Sequence, residues 1–122
     1  MRRQIVAVVE DDLGMLQSLE RLLRAYQFEP ALFTSAEAFL ASTAASTVDC
    51  LILDINLGGM SGIELQRELA ARGSNLPVVF MSAIDDDIVR GQAFEVGCVA
   101  YFLKPFPAQH LIAAINKAVA TA

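Results

Sequence analysis

The chain predicts an α/β protein in which five strand–helix units form one parallel sheet with helices on both faces. Three observations carry that expectation. Short apolar runs rich in Val, Ile and Leu recur at residues 5–9, 48–53, 78–81 and 99–103. Between them lie longer stretches whose apolar residues fall three and four apart, the helical period. The alternation is regular throughout, with no internal repeat, linker or low-complexity tract. Alternating strands and helices of this kind wind into a (βα)5 doubly wound five-stranded parallel sheet with right-handed crossovers. The expected strand order is 2-1-3-4-5, the flavodoxin-like solution, with its topological break between the first and third strands.

Each element has its own reason. Residues 4–9 form the first strand. Residues 13–27 follow as a helix, with Leu16, Leu19, Leu23 and Tyr26 on its apolar face. Residues 29–33 form a weak second strand, and Pro30 suits it to an edge. Ser35 caps a helix over residues 36–42 that buries Phe39 and Leu40. Residues 48–54, apolar apart from Asp49 until they reach Asp54, are expected to form a strand covered on both faces. Gly58 and Gly59 make residues 56–61 a turn. Residues 63–72 are a helix marked by Ile63, Leu65 and Leu69 and stopped by Gly73. Residues 77–82 form the fourth strand. Asp85, Asp86 and Asp87 open a helix to about residue 96, three acids complementing its dipole. Residues 99–103 form the fifth strand. Pro107 starts the last helix, where Leu111, Ile115 and Val119 fall four apart.

Composition narrows the function. The chain has 122 residues, enough for one domain with one core, and is 55% hydrophobic with a mean hydropathy of +0.48. It is too apolar for disorder, and no apolar run approaches a membrane span. The N-terminal residues lead straight into a strand rather than a signal-peptide core, so a cytoplasmic location is expected. A net charge of -5 and a pI near 4.7 argue against direct nucleic-acid binding. Cys50 and Cys98 read as buried free thiols, and no Cys/His spacing suggests zinc. His110 reads as a solvated helix residue.

The chemistry sits at the strand ends. The first run leads into Glu10, Asp11 and Asp12, the third strand into Asp54, the fourth into Ser82 and the fifth into Lys104. In a parallel sheet these share one rim, at the crevice where open α/β sheets bind ligands. Two unit charges 4 Å apart repel by about 4 kcal/mol at an effective dielectric near 20, so clustered carboxylates call for a cation. Oxygen ligands favour Mg²⁺ or Ca²⁺, and few protein ligands plus water is the magnesium habit. Asp11 and Asp54 are assigned as direct ligands and Glu10 as one acting through water, while Asp12 caps the helix. Beside a metal, Asp54 can attack phosphorus and become an aspartyl phosphate. Lys104 and Ser82 then supply an ammonium and a hydroxyl to the phosphoryl oxygens. Gly58 and Gly59 leave the turn open for backbone approach.

With these residues in view, the chain resembles a receiver domain of bacterial two-component response regulators. The matching segments are Ile5-Val-Ala-Val-Val-Glu-Asp-Asp12, Leu51-Ile-Leu-Asp54, Met60-Ser-Gly-Ile-Glu-Leu65, Val78-Val-Phe-Met-Ser-Ala83 and Ala100-Tyr-Phe-Leu-Lys-Pro-Phe106. They stand in the family's order and cover essentially all of residues 1–122, which the resemblance makes one receiver domain. The stretch Ser35-Ala-Glu-Ala-Phe-Leu40 and Lys104-Pro-Phe106 are similar to nitrogen-fixation-type transcription regulators. The resemblance implies a signalling domain, not an enzyme in the ordinary sense. It puts Asp54 at the phosphoacceptor position, Glu10 and Asp11 at the acidic pair, and Ser82 and Lys104 at the hydroxyl and lysine positions. It implies that the main-chain carbonyl of Asn56 is a third metal ligand and that Ala83 admits the phosphoryl group. Tyr101 falls at the aromatic switch position, with a half-exposed strand residue as the alternative. The Lys104–Pro105 peptide is expected to be cis.

The implied cofactor is Mg²⁺, with Mn²⁺ or Ca²⁺ as substitutes. The implied partners are a sensor histidine kinase or phosphotransfer protein and a phosphorylation-dependent second copy, bound through the fourth helix, fifth strand and fifth helix. Three departures stand out. Gly58 replaces a common proline, Ser82 a common threonine, and Glu10 a more frequent aspartate. Rival readings are a stand-alone phosphorelay or interaction receiver, an aspartate-nucleophile phosphatase and a flavin binder. The phosphatase needs a second aspartate where Asn56 stands, and the acids at residues 10–12 would repel a flavin phosphate.

Overall fold

The computed structural model describes residues 2–121. Its five strands are β1 (Ile5–Val9), β2 (Glu29–Phe33), β3 (Cys50–Asp54), β4 (Val78–Ser82) and β5 (Ala100–Leu103). They form one parallel sheet in the order β2-β1-β3-β4-β5, as the alternating pattern predicts. The helices are α1 (Leu13–Ala25), α2 (Ala36–Ala41), α3 (Gly62–Ala71), α4 (Asp87–Val96) and α5 (Ala108–Thr121). A single 3-10 turn at Ala44–Ser46, which the sequence pattern did not show, joins α2 to β3.

Side-chain alternation along the strands divides the core in two. Ala7, Val9, Leu51, Leu53, Val78 and Phe80 pack with α2, α3 and α4. Val6, Val8, Cys50, Ile52, Val79 and Met81 pack with α1 and α5. All residues of β3 and β4 are buried, as expected for central strands covered on both faces. Pro30 lies on edge strand β2. No helix among the described residues is long and apolar enough to cross a membrane.

Several boundaries differ from the sequence expectation for identifiable reasons. Helix α1 stops at Ala25, and Gln27 takes φ +70° in the turn to β2. Tyr26 consequently lies on the surface instead of in the core. Val48 and Asp49 precede β3, where the Asp49 carboxylate accepts hydrogen bonds from the Ile5 amide and the Arg2 guanidinium. Val99 lies outside β5 and is half exposed. Asp86 caps α4 by accepting from the Ile88 and Val89 amides. Only Asp87 falls in the first turn of α4, so the three-acid turn is corrected to one cap and one acid. Leu40 is only half-buried, and α2 ends at Ala41.

Candidate functional site

The site begins where β1 and β3 stop. Val9 pairs with Leu53 across the break in strand order, so Glu10 and Asp54 emerge side by side. The Glu10 amide donates to the Phe33 carbonyl at 3.0 Å, extending the β1–β2 ladder by one residue. Asp12 leaves the rim and accepts from the Met15 amide as the α1 cap. Ser82 is the last residue of β4. The Lys104 amide donates to its carbonyl at 2.8 Å, which fixes where the lysine departs β5. The Lys104–Pro105 peptide is cis, as expected.

Behind Asp54, α3 approaches very closely. A β-carbon added at Gly62 would lie 2.4 Å from the Asp54 carbonyl oxygen, so only glycine fits the start of this helix. Ser61 and Glu64 then form a capping box. The turn before it carries φ +81° at Gly59.

These elements bring the predicted acids together. Carboxylate oxygens of Glu10, Asp11 and Asp54 all lie within 4.8 Å of one another. Glu10 is wholly buried and ion-paired to the Lys104 ammonium at 2.5 Å, and Asp54 Oδ1 lies 3.6 Å from the same nitrogen. Asp11 is exposed, and its Oδ2 accepts from the Gly58 amide at 3.3 Å. Burial, and then the hydrogen bond and charge of Glu10, push the Asp54 carboxyl up to about 7. Lys104 and the Asn56 amide oppose that rise without cancelling it. Burial works against the Lys104 charge as well, but its Glu10 hydrogen bond and the two nearby carboxylates outweigh it and raise its pKa.

The balance is three carboxylates around one ammonium, and the raised Asp54 pKa reports burial first and then the repulsion from Glu10. A cation bound among these oxygens would relieve it. An all-oxygen donor set suits a hard divalent ion such as Mg²⁺. The residues present therefore fit the expected metal.

Ser82 is buried, and its hydroxyl is engaged by the β4–α4 loop. Its Oγ donates to the Ile84 carbonyl and accepts from the Ile84 amide, each at 3.1 Å. The Asn56 side-chain amide also donates to it, at 3.4 Å. Ala83, the next residue, is exposed at the mouth. Tyr101 is not half exposed: it is 8% accessible, and its buried hydroxyl has no hydrogen-bond partner among the described residues. The Arg90 guanidinium lies 5.2 Å from its ring centroid, and the Phe94 ring packs at 6.3 Å. Tyr101 is thus buried while the Ser82 hydroxyl is bonded to Ile84.

The rest of the sequence reading divides. Cys50 is buried, and burial pushes its thiol up to about 12. Cys98 is only half-buried, its pKa also raised by burial. Both are far from thiolate reactivity at neutral pH. His110 is exposed. No sequence pattern flags Glu37, which reaches from α2 to the turn after Asp54 and accepts from the Met60 amide at 2.9 Å.

Comparison with known proteins gives concordant findings. The model of the response regulator receiver domain family matches residues 6–116. The response regulator protein TmoT of Ectopseudomonas mendocina is 34% identical over 118 residues, 97% of this chain and 54% of that protein. The transcriptional regulatory protein FixJ of Bradyrhizobium diazoefficiens is 32% identical over 114 residues, 93% of this chain and 56% of that one. The chain thus spans about half the length of these relatives. A crystal structure of FixJ-N superposes with a TM-score of 0.89 at 31% identity, covering 100% of this chain and 98% of that one.

Proposed function

The chain belongs to the response regulator receiver domain family, and on that premise we propose that it is a phosphorylation-activated switch whose acceptor is Asp54. The observation that carries this reading is the convergence of Glu10, Asp11, Asp54 and Lys104 at one rim. An Asp54 oxygen attacks the phosphorus of a phosphohistidine on a sensor kinase or phosphotransfer protein. The new O–P bond forms as the P–N bond breaks, and the donor imidazole leaves with that bond's electron pair. Asp11, Asp54 and the Asn56 carbonyl would hold Mg²⁺, with Glu10 contributing through water. The bound ion supplies positive charge that screens the incoming phosphate. Phosphoryl transfer needs mainly positioning and charge neutralisation, which suits so spare a site. Residues 1–122 act as one unit, in the cytoplasm, and phosphoryl loss is slow self-hydrolysis rather than enzymatic turnover on other substrates.

The phosphoryl group brings close to two negative charges and three acceptor oxygens. Lys104, held between Glu10 and Asp54, is placed to share its donors with those oxygens. Ala83, with no side chain beyond Cβ, leaves room for entry. Ser82 leaves Ile84 for a phosphoryl oxygen, a charge-assisted bond worth roughly 1.5–3 kcal/mol. A near-complete population shift needs about 5.5 kcal/mol, so Lys104 and the β4–α4 loop must contribute the remainder. The loop then repacks beside Tyr101, and the α4–β5–α5 face changes its affinity for a second copy or an output element. The name of FixJ as a transcriptional regulator supports transcription control as the output. With a net charge of -5, DNA contact belongs to another segment.

The test is phosphoryl transfer from a labelled histidine kinase. Wild-type protein takes up one acid-stable, base-labile equivalent, Asp54→Asn takes up none, and a divalent-metal chelator abolishes uptake. Equal labelling of Asp54→Asn, or labelling indifferent to chelation, refutes the assignment.

A further inference from the structure

The turn after Asp54 contains Gly58 and Gly59 and no proline, yet the structure holds it from two sides. Asp11 Oδ2 accepts from the Gly58 amide at 3.3 Å. Glu37 Oε2, coming from α2, accepts from the Met60 amide at 2.9 Å. Between them Gly59 adopts φ +81°, and a β-carbon built there would lie 2.6 Å from Glu37 Oε2. The carboxylate thus rests against a glycine whose positive φ disfavours any side chain. Hydrogen bonds from the Met60 amide and from its own backbone amide hold the Glu37 carboxyl below its ordinary pKa.

We propose that Glu37 is a positioning residue for the phosphoryl site, anchoring residues 56–60 from the α2 side so that the Asn56 carbonyl faces the metal. The inference rests on the receiver reading of that site. Asp11 cannot perform this task alone. As a metal ligand its oxygens turn to the cation, in competition with the Gly58 amide. Glu37 is not part of the Glu10–Asp11–Asp54 cluster, so it keeps its hold when the ion binds. The anchor also links α2 by a side-chain hydrogen bond to the acceptor loop.

The experiment compares wild type, Glu37→Ala and Glu37→Gln in three measurements. Amide exchange at Met60 without metal reads the anchor itself. Mn²⁺ titration followed by electron paramagnetic resonance reads metal affinity. Acetyl phosphate labelling across a Mg²⁺ series reads the reaction. In Glu37→Ala, Met60 exchange accelerates and Mn²⁺ affinity falls about tenfold, the lower end for residues that orient metal ligands. Its labelling rate returns to the wild-type value at saturating Mg²⁺. Glu37→Gln keeps an oxygen acceptor and recovers most of the affinity. Unchanged Mn²⁺ affinity in Glu37→Ala overturns the inference, as does a loss that glutamine fails to recover. If wild type binds Mn²⁺ but is never labelled, the receiver reading fails while the anchor is still judged by the first two measurements. If wild type is labelled and Glu37→Ala matches it at every Mg²⁺ concentration, the anchor alone fails.

Discussion

At the scale of single residues, Asp54 sets function against stability. Its carboxyl is pushed up to about 7, first by burial and then by Glu10. A raised folded-state pKa favours the folded protein most at pH below the ordinary aspartate value, and that contribution is lost as pH rises through about 7. Without divalent metal, Asp54→Asn is therefore expected to raise stability at pH 8 by on the order of 2 kcal/mol. The gain should shrink steadily between pH 7 and pH 4, as measured by urea unfolding. Saturating Mg²⁺ should stabilise wild type more than the variant, because the ion binds only the folded site. A constant difference across this pH range would show that the Asp54 charge carries no such penalty.

The same scale shows what the sequence could and could not disclose. Asp11, Asp54, Ser82 and Lys104 are legible because each closes or follows an apolar run, and strand ends in a parallel sheet share an edge. Glu37 is not legible, since its role depends on a side chain crossing from α2 to a backbone amide more than twenty residues away. Tyr101 was ambiguous for a similar reason. Its burial is decided by Arg90 and Phe94, which the alternation of β5 cannot foresee.

At the scale of elements, the close approach of α3 to β3 is the tightest junction near the site. Gly62→Ala places a β-carbon 2.4 Å from a backbone oxygen, which no rotamer change can relieve. We expect a loss of about 2–3 kcal/mol, within the range for overpacked positions, read as a lower urea midpoint. Metal affinity should fall too, because the helix start and the acceptor loop move together. The alternation of strands and helices was readable from periodicity, because that pattern repeats over many residues, and the strand order followed from the standard topology of that class. Element ends were less so. Asp49 is withheld from β3 by the Ile5 amide and Arg2, and Asp85 from α4 by the Asp86 cap, contacts that leave no trace in hydropathy.

At the scale of the whole molecule, apolar side chains concentrate on and before α4. Ile84, Ile88 and Phe94 are all more than half exposed, and Ile88 is 74% accessible. On the proposed function this surface meets a second copy after phosphorylation. Ile88→Glu should leave Asp54 labelling at the wild-type level and abolish phosphorylation-dependent dimers in light scattering. Dimers that persist in Ile88→Glu would move the contact elsewhere.

The part-buried Glu10–Lys104 pair joins residues 94 positions apart, through the first and last strands to contribute to the site. A chain emerging from synthesis cannot assemble this chemistry until β5 has docked against β4. On the proposed function, truncated or half-folded copies lack the Lys104 ammonium beside Asp54 and accept no phosphoryl group. The level of activated protein would then count completed folding events as well as upstream input.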